Sequence, residues 1–474
     1  MTIGCDIAII GGGIAGYTAA IRAAQAGKKV VIVEKDKLGG TCLHKGCIPS
    51  KALLRSAEVF ATLRKADTYG VLVDGAVTLD FAKVQQRKES TVENLYKGLQ
   101  YLMRKHDITV LQGSGTVIGP SIFSPKSGSV AVEFPDGDMD TVVPAHLIIA
   151  TGSRPRVLKG LEPTAGQIMS SDEALEMDRL PKSILIIGGG VIGVEWASML
   201  IDFGIEVTLA ESASRLLPGE DPEASAELTK QLRRRGVRIL TSIQLKLDTY
   251  AYNNGQASIT ADTADGPVIL SAERLLVSVG RQGNTENIGL ENTDVRIEQG
   301  AIKVNAYFQT NESHIYAVGD VNGGLQLAHA AAHEALVAVD HILGSKEQAP
   351  DHSRIPRAIY SKPEIASIGL TEDEASKKGH AVKVGKVPFQ AIGKAHVIGE
   401  AEGFAKVIAD AKTMDVLGVH IVGPHATDLL SEASLAMLLN ATPWEVSQVI
   451  HPHPTLSEVL GEAMLALEGK SLAF

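Results

Sequence analysis

The sequence predicts an α/β chain built from two Rossmann-like dinucleotide-binding domains and a C-terminal α+β domain. Three observations predict it. A strand, a glycine turn, a helix and a second strand closed by an acidic residue fill the first 34 positions; the pattern returns 177 residues later; and the tail from about residue 350 alternates short strands and helices without a third copy.

In the first copy, Asp6 to Ile10 reads as a buried strand, Gly11, Gly13 and Gly16 fit G-x-G-x-x-G, and a helix continues through Ala19 to Ala24. Val30 to Val33 is a second strand, and Glu34 follows Gly16 by 18 residues. Glycines at this spacing admit a pyrophosphate to a helix N-terminus, and the acidic side chain suits a ribose hydroxyl. A glycine turn that only packs helix on strand is the bland alternative. In the second copy, Gly188, Gly190 and Gly193 repeat the glycines and Glu211 repeats the acid. Glu211 can accept from a free 2′-hydroxyl and would repel a 2′-phosphate, so this site is expected to prefer NAD to NADP, with Arg215 nearby tempering the preference. The first site lies nearer the cysteines described next, which suits a flavin.

Between the copies runs GGTCLHKGCIPSK, Gly39 to Lys51, ahead of an apolar helical pattern at Leu53, Leu54, Ala57 and Phe60. Residues i and i+5 of a regular helix are roughly 8 to 9 Å apart, whereas a disulfide spans about 4.4 to 6.8 Å. A bridge between Cys42 and Cys47 therefore needs a distorted first turn, for which Gly46 and Pro49 supply backbone freedom and a missing N–H. A helix N-terminus with Lys45 and Lys51 favours thiolate, so redox cycling is the expectation. A buried structural pair and a metal clip are the alternatives, the latter disfavoured by spacing.

Further on, a polar helix is expected around Lys83 to Lys105, then short strands broken by Gly113, Gly115 and Gly119. Leu147 to Ala150 is an apolar strand leading to Thr151, Gly152 and Ser153, taken as the crossing into the second nucleotide domain; VSVGR, around Gly280, marks the return. HIYAVGD ends a strand on Asp320 before the small-residue helix LAHAAAHEA, an arrangement able to present Asp320 to a flavin's ribityl chain. In HPHPTLSE, prolines fix the backbone around His453, and Glu458 follows at the start of a helical pattern. That makes an acid–base dyad or, equally, a surface His beside a favourable first-turn Glu. An H-x-H metal site lacks further ligands, and no metal is expected.

The 474 residues, 45% hydrophobic and 21% charged, suffice for about three domains at roughly 150 residues each. A net charge of −10 argues against nonspecific nucleic-acid binding and is compatible with a basic protein partner. Three cysteines make no secreted scaffold, and Cys5, in the opening apolar run, is expected to be inert core. That run stops at Gly11, short of a signal pattern, and no stretch reaches the roughly 18 apolar residues of a membrane span. A cytoplasmic location is expected.

Taken in order, the cysteine segment, both glycine fingerprints, ATGS at Ala150, YAVGD at Tyr316, YSKPEIASIG at Tyr360 and HPHPTLSE make the chain similar to the pyridine nucleotide–disulfide oxidoreductases over nearly its full length. The resemblance implies FAD held by Glu34, Lys51, Gly115, Thr151 and Asp320, with Thr41, Gly152, Ser153, Gly280, Ala328 and His329 also at the cofactors, and NAD at the second turn. It implies a disulfide in which Cys42 exchanges with substrate and Cys47 faces the flavin. Lys51 and Glu195 match positions paired beside the flavin, and His453 with Glu458 matches the acid–base dyad, which reaches the disulfide of the other subunit of a homodimer. The implied domains are 1–150 and 280–349 for FAD, 151–279 for NAD and 350–474 for the dimer interface. The implied activity is oxidation of protein-bound dihydrolipoamide to lipoamide with reduction of NAD+. The lipoyl group would sit on the acyltransferase of a 2-oxoacid dehydrogenase complex, branched-chain and acetoin complexes being candidates. A glutathione- or mercuric-reductase-like enzyme is the nearest alternative, disfavoured by Glu211 and by a C-terminus, SLAF, without cysteines; a structural or binding subunit of a multienzyme complex is the alternative of another class. His44 and Lys45 stand where many relatives carry Asn-Val, and their added charge is expected to lower a thiolate pKa or shift the disulfide potential.

Overall fold

The computed structural model describes residues 1–120, 126–346 and 351–473. The chain divides into two compact units. The first comprises Met1–Leu53, Asp80–Arg156 and the segment that starts at Gly280; the second comprises Leu54–Leu79, Val157–Val279 and the C-terminal segment. The expected boundary at 349–350 lies outside the described residues.

The first unit is built on β1 (Thr2–Ile10), whose last four residues are all buried. A strand covered on both faces reads as a continuous apolar run, and parallel neighbours explain why: β1 lies parallel to β2 (Val30–Glu34) on one side and to β6 (Met139–Ile149) on the other. The sheet runs β3-β2-β1-β6-β5-β4, with β3 at Thr109–Gln112, β4 at Ser114–Ile118 and β5 at Ser129–Glu133, and Ile315–Ala317 adds a further parallel partner to β6. Gly115 lies inside β4 opposite Val132 rather than breaking a strand, because β4, β5 and β6 form an antiparallel meander. Helix α1 (Ile14–Gln25) buries Ala15, Gly16, Ala19, Ala20 and Ala23, a small-residue face that lets it close onto the sheet. The same core takes in residues of the helix Ala328–Ile342. Cys5 is half-buried on β1 rather than deep in the core, and burial still pushes its thiol up to about 11, which keeps it unreactive.

The second unit repeats the parallel arrangement. Its sheet runs Arg238–Leu240, Glu206–Ala210, Ser183–Ile187, Arg274–Val277, Ile168–Met169. A three-stranded antiparallel sheet (Gln244–Asn253, Gln256–Thr263, Gly266–Ala272) packs into the same core. The C-terminal segment forms a five-stranded antiparallel sheet in the order Arg357–Ile359, Glu364–Gly369, Val416–Gly423, Phe404–Asp410, Val382–Pro388. Helices Ala426–Leu438 and Glu458–Ala466 supply the rest of its core.

Candidate active site

The two glycine turns are built alike. At the first, a Cβ on Gly11 would sit 2.3 Å from the Ala150 carbonyl oxygen and one on Gly16 would sit 1.9 Å from the Gly11 oxygen, so strand, turn and helix approach as only glycine allows. At the second, a Cβ on Gly188 would stand 2.4 Å from the Ser278 oxygen and one on Gly193 would stand 1.9 Å from the Gly188 oxygen. Each turn is held by its acid: Glu34 accepts the Gly12 N–H (2.6 Å) and the Asp36 N–H (2.7 Å), and Glu211 accepts the Gly189 N–H (2.5 Å) and the Ala213 N–H (2.6 Å). A carboxylate offers about four lone-pair sites, so each retains capacity for a ribose diol.

The helices that start at these turns, α1 and Val191–Asp202, have glycine N-caps, no side-chain cap and no acid in the first turn. By contrast, Asp80 caps α4 (Phe81–Lys105) and Asp221 caps Pro222–Arg234 through backbone N–H groups. Two helices whose first turns carry neither a side-chain cap nor an acid fit the diphosphate of a dinucleotide. Space agrees, since a Cβ on Gly190 would meet nothing within 4 Å and one on Gly13 only Gly40 at 3.9 Å. Arg215 donates to the carbonyls of Leu217, Pro218 and Glu220 at 3.2, 2.7 and 2.8 Å. Its guanidinium is thereby committed to backbone, away from any 2′-phosphate role.

The cysteines are joined to the first turn. Cys42 lies on α2 (Gly40–His44), Cys47 opens α3 (Cys47–Leu63), and the break at Lys45 and Gly46 is the distortion that five-residue spacing requires. Gly40 packs its backbone against Gly13 so closely that a Cβ added to Gly40 would lie 2.7 Å from the α-carbon of Gly13. In the dithiol form the side chains of Cys42 and Cys47 hydrogen-bond to each other. That bond, burial and the charge of a Cys47 thiolate drive Cys42 far above the ordinary thiol range, while Lys51 and the Cys47 N–H pull it back. The ease of ionisation expected from the sequence is not seen at Cys42, because a proton shared between two sulfurs makes the second ionisation hard. Tyr17 of α1, which no sequence motif marks, has its phenol pushed up by burial and by these sulfurs.

In the second unit, His453 Nδ1 lies 2.8 Å from Glu458 Oε1, and Glu458 Oε2 accepts the Thr455 N–H at 3.0 Å. Burial opposes charge on Glu458, yet His453 and the Thr455 N–H outweigh it and hold the carboxyl below its ordinary range. A depressed carboxyl stabilises above its unfolded value, about 4.3, and that contribution is lost as the pH falls through the folded value. The imidazole side chain is 75% exposed, leaving Nε2 open to a partner. Glu458 is also the first residue of its helix.

The family model for pyridine nucleotide-disulphide oxidoreductases matches residues 5–335, and that for their dimerisation domain matches 355–464. The chain belongs to the pyridine nucleotide-disulphide oxidoreductase family. Among curated relatives of this oxidoreductase, the dihydrolipoyl dehydrogenase of Bacillus subtilis is 57% identical over 470 residues, 99% of each chain, and that of Rhizobium etli is 41% identical over 98% of each. Among solved structures, LpdA from Mycobacterium tuberculosis superposes with a TM-score of 0.89 at 25% identity, covering 97% of this chain and 99% of that one. RclA from Escherichia coli, an HOCl-induced flavoprotein disulfide reductase, gives 0.86 at 28% over the same shares.

The oxidoreductase's remaining candidate residues fall into two groups. Thr151, Gly152, Ser153, Gly280 and Asp320 come together: Ser153 Oγ donates to Asp320 and accepts from Arg281 at 2.7 Å, while Asn284 donates its amide to the Thr151 oxygen at 2.9 Å and takes the Thr151 hydroxyl on its own carbonyl at 2.7 Å. Gly152 and Gly280 both have positive φ. Ala328 and His329 begin their helix, which has no side-chain cap, and Thr41 lies one residue before Cys42 on α2. Lys51 sits one turn into α3, and a Cβ added to Gly115 would stand 3.1 to 3.4 Å from side-chain atoms of Val33, Val130 and Ile10. In the other unit, buried Glu195 accepts the Tyr360 N–H at 2.9 Å.

Sequence reasoning missed Asn284, Arg281 and Glu334. Glu334, 4% exposed, accepts the Gly319 N–H and the Asn322 amide, both at 2.7 Å, and so holds the turn that carries Asp320; burial pushes its carboxyl up. A single acid on a small-residue helix was the available signal. Also missed was a second His–Glu pair, His451 with Glu432 at 2.9 Å. Among the described residues no cluster of three or more His, Cys, Asp or Glu side chains is placed to hold a metal, and no helix is long and apolar enough to cross a membrane.

Proposed function

We propose that this chain is a flavoprotein that oxidises dihydrolipoamide to lipoamide and reduces NAD+ to NADH. The observation that carries the reading is the Cys42–Cys47 dithiol packed through Gly40 onto a glycine turn whose helix has no side-chain cap and no acid in its first turn. Full-length identity of 57% to a curated dihydrolipoyl dehydrogenase supports it.

FAD would be held by the Gly11–Gly16 turn, Glu34, Thr41, Lys51, Gly115, Thr151, Gly152, Ser153, Gly280, Asp320, Ala328 and His329, and NAD by the Gly188–Gly193 turn and Glu211. When bound, the flavin supplies a path for the electron pair from the dithiol to the nicotinamide.

His453 donates Nδ1–H to Glu458, so Nε2 holds a lone pair that takes a proton from a lipoyl thiol. The resulting thiolate attacks Cys42 Sγ of the oxidised pair; the Cys42–Cys47 bond breaks and Cys47 leaves as thiolate. The second lipoyl thiol passes its proton to the departing Cys42 sulfur as it closes on the first, so the lipoamide S–S bond forms while the mixed disulfide to Cys42 breaks. Lys51 and the N-terminus of α3 stabilise the thiolates formed. Lys51 and Glu195 are the further candidates to serve the bound flavin.

The working form is a homodimer in which the partner subunit's His453 serves each dithiol, a reading supported by the dimerisation-domain match. The domains are 1–150 with 280–349 for FAD, 151–279 for NAD and 350–474 for the interface. The substrate arm belongs to a lipoylated acyltransferase of a 2-oxoacid dehydrogenase complex, whose basic binding segment suits a surface of net charge −10, and the setting is cytoplasmic.

Anaerobic titration with dihydrolipoamide tests the reading. A long-wavelength thiolate-to-flavin band and stoichiometric NADH are expected, and Cys47→Ser should abolish turnover while leaving the folded flavoprotein intact. Undiminished lipoamide turnover in that variant would overturn it.

A further inference from the structure

Residues His44 and Lys45 follow the exchanging cysteine, and both reach back to the loop that precedes it. Lys45 Nζ pairs with Asp36 Oδ2 at 2.9 Å. His44 Nε2 lies 2.9 Å from the Leu38 carbonyl, which can only accept, so Nε2 carries the proton; the ring also meets Tyr96 of α4 edge-on at 5.3 Å. The cation that most eases ionisation of Cys42 is Lys51.

The partners of this pair belong to the loop that closes the first glycine turn. The Asp36 N–H is held by Glu34, whose other oxygen takes the Gly12 N–H, and the Gly39 N–H returns to the Gly12 carbonyl at 2.8 Å. Gln112 donates its side-chain amide to the Asp36 carbonyl. An unbroken set of contacts thus runs from α2 through residues 34–39 to the turn. Lys45 is also the first cause of the lowered Asp36 carboxyl, which places its charge on that loop.

We propose that His44 and Lys45 are positioning residues that strap the thiol-bearing helix α2 to the Glu34 loop, so that dinucleotide affinity at the first turn depends on the redox loop. This rests on the proposed function, in which that turn holds FAD. The charge at position 45 acts on the loop through Asp36.

The experiment compares the holoenzyme with His44→Asn/Lys45→Val, Asp36→Asn, the triple variant and Lys45→Arg. FAD release on dilution is followed by flavin fluorescence, and thiol ionisation by alkylation rate against pH. The Lys45–Asp36 pair is more than half exposed on both sides, so its share is small and His44 adds a half-buried bond. The double variant should release FAD roughly 3- to 10-fold more readily, Asp36→Asn about 2-fold, the triple variant no more than the double, and Lys45→Arg should restore retention. The midpoint of thiol alkylation should stay where it is. Unchanged FAD retention, with or without a moved alkylation midpoint, overturns the strap. Amide hydrogen exchange across 36–44 in the cofactor-free full chain gives a second reading: it should rise in the double variant, and no rise there would also overturn the strap. A wild-type chain that takes up no FAD would instead count against the proposed function, and the exchange result would still decide the strap.

Discussion

The turn at Gly11–Gly16 and the turn at Gly188–Gly193 share their skeleton and differ in what their closing loop carries. Both acids hold the second glycine N–H and an N–H two residues beyond themselves, and both loops return a backbone N–H to the second glycine's carbonyl, from Gly39 in one and Leu217 in the other. After the shared part, the first loop runs directly into α2 with Cys42, whereas the second ties up Arg215 on its own carbonyls. One glycine-turn skeleton is thus joined in one case to a loop that leads into the cysteine pair and in the other to a loop that closes on its own carbonyls. The helix-to-strand packing is common to both; chemistry is added in the loop.

The most damaging way to break the comparison is to fill the glycine at the helix. A Cβ 1.9 Å from a backbone oxygen has no flexible neighbour to yield, so Gly16→Ala and Gly193→Ala should each cost about 3 kcal/mol or more, the upper end for overpacking. With FAD at the first turn and NAD at the second, as proposed, the losses should separate. Purified Gly16→Ala should contain under about a tenth of the wild-type flavin by absorbance, at 1.4 kcal/mol per decade. Gly193→Ala should keep its flavin and its reduction by dihydrolipoamide yet lose NAD+-dependent turnover. Loss of the same ligand from both would deny that the turns are specialised.

Removing the acid's charge while keeping its shape is milder. In Glu34→Gln and Glu211→Gln an amide NH2 faces one of two backbone donors, leaving a part-buried N–H unmatched at a cost of about 1 to 3 kcal/mol. The expected readout is a 5- to 150-fold rise in the FAD dissociation constant for the first and in the NADH dissociation constant for the second, the fold-changes that correspond to that cost. Equal effects on one ligand would show that the acids act through general stability.

How much of this was legible in the sequence depended on separation along the chain. The repeat was legible because strand, glycines, helix and acid lie within 34 residues and recur at a fixed offset, so local periodicity records them. The cysteine loop was legible through its spacing, which forced the break at Lys45 and Gly46. Asn284 was not, since its partner Thr151 is 133 residues away and no periodicity marks it. Lys406 was hidden for a related reason. It occupies a strand in which all seven residues are buried, where an apolar residue is the default, and it bonds Asp221 at 3.0 Å, Glu223 at 2.7 Å and Glu372, partners from 34 to 185 residues distant. The grouping of Leu54–Leu79 with the second unit was equally invisible, because α3 shows one uninterrupted helical pattern while its residues pass from one unit to the other.

The smallest expected effect sharpens the comparison at the second loop. Glu211→Ser removes a negative charge that would face a 2′-phosphate, a repulsion of about 4 kcal/mol at 4 Å with an effective dielectric of 20, before salt screening. The gain is capped, because Arg215 would have to give up three carbonyl acceptors to meet the phosphate. The kcat/KM ratio of NADPH to NADH should therefore rise about tenfold, some 1.4 kcal/mol, without inverting. Adding Arg215→Lys, which cannot span the same carbonyls with a planar fork, should free a charge and raise the ratio further. An NADPH preference from Glu211→Ser alone would mean that Arg215 leaves its carbonyls readily, and the second turn would then be as open to new chemistry as the first.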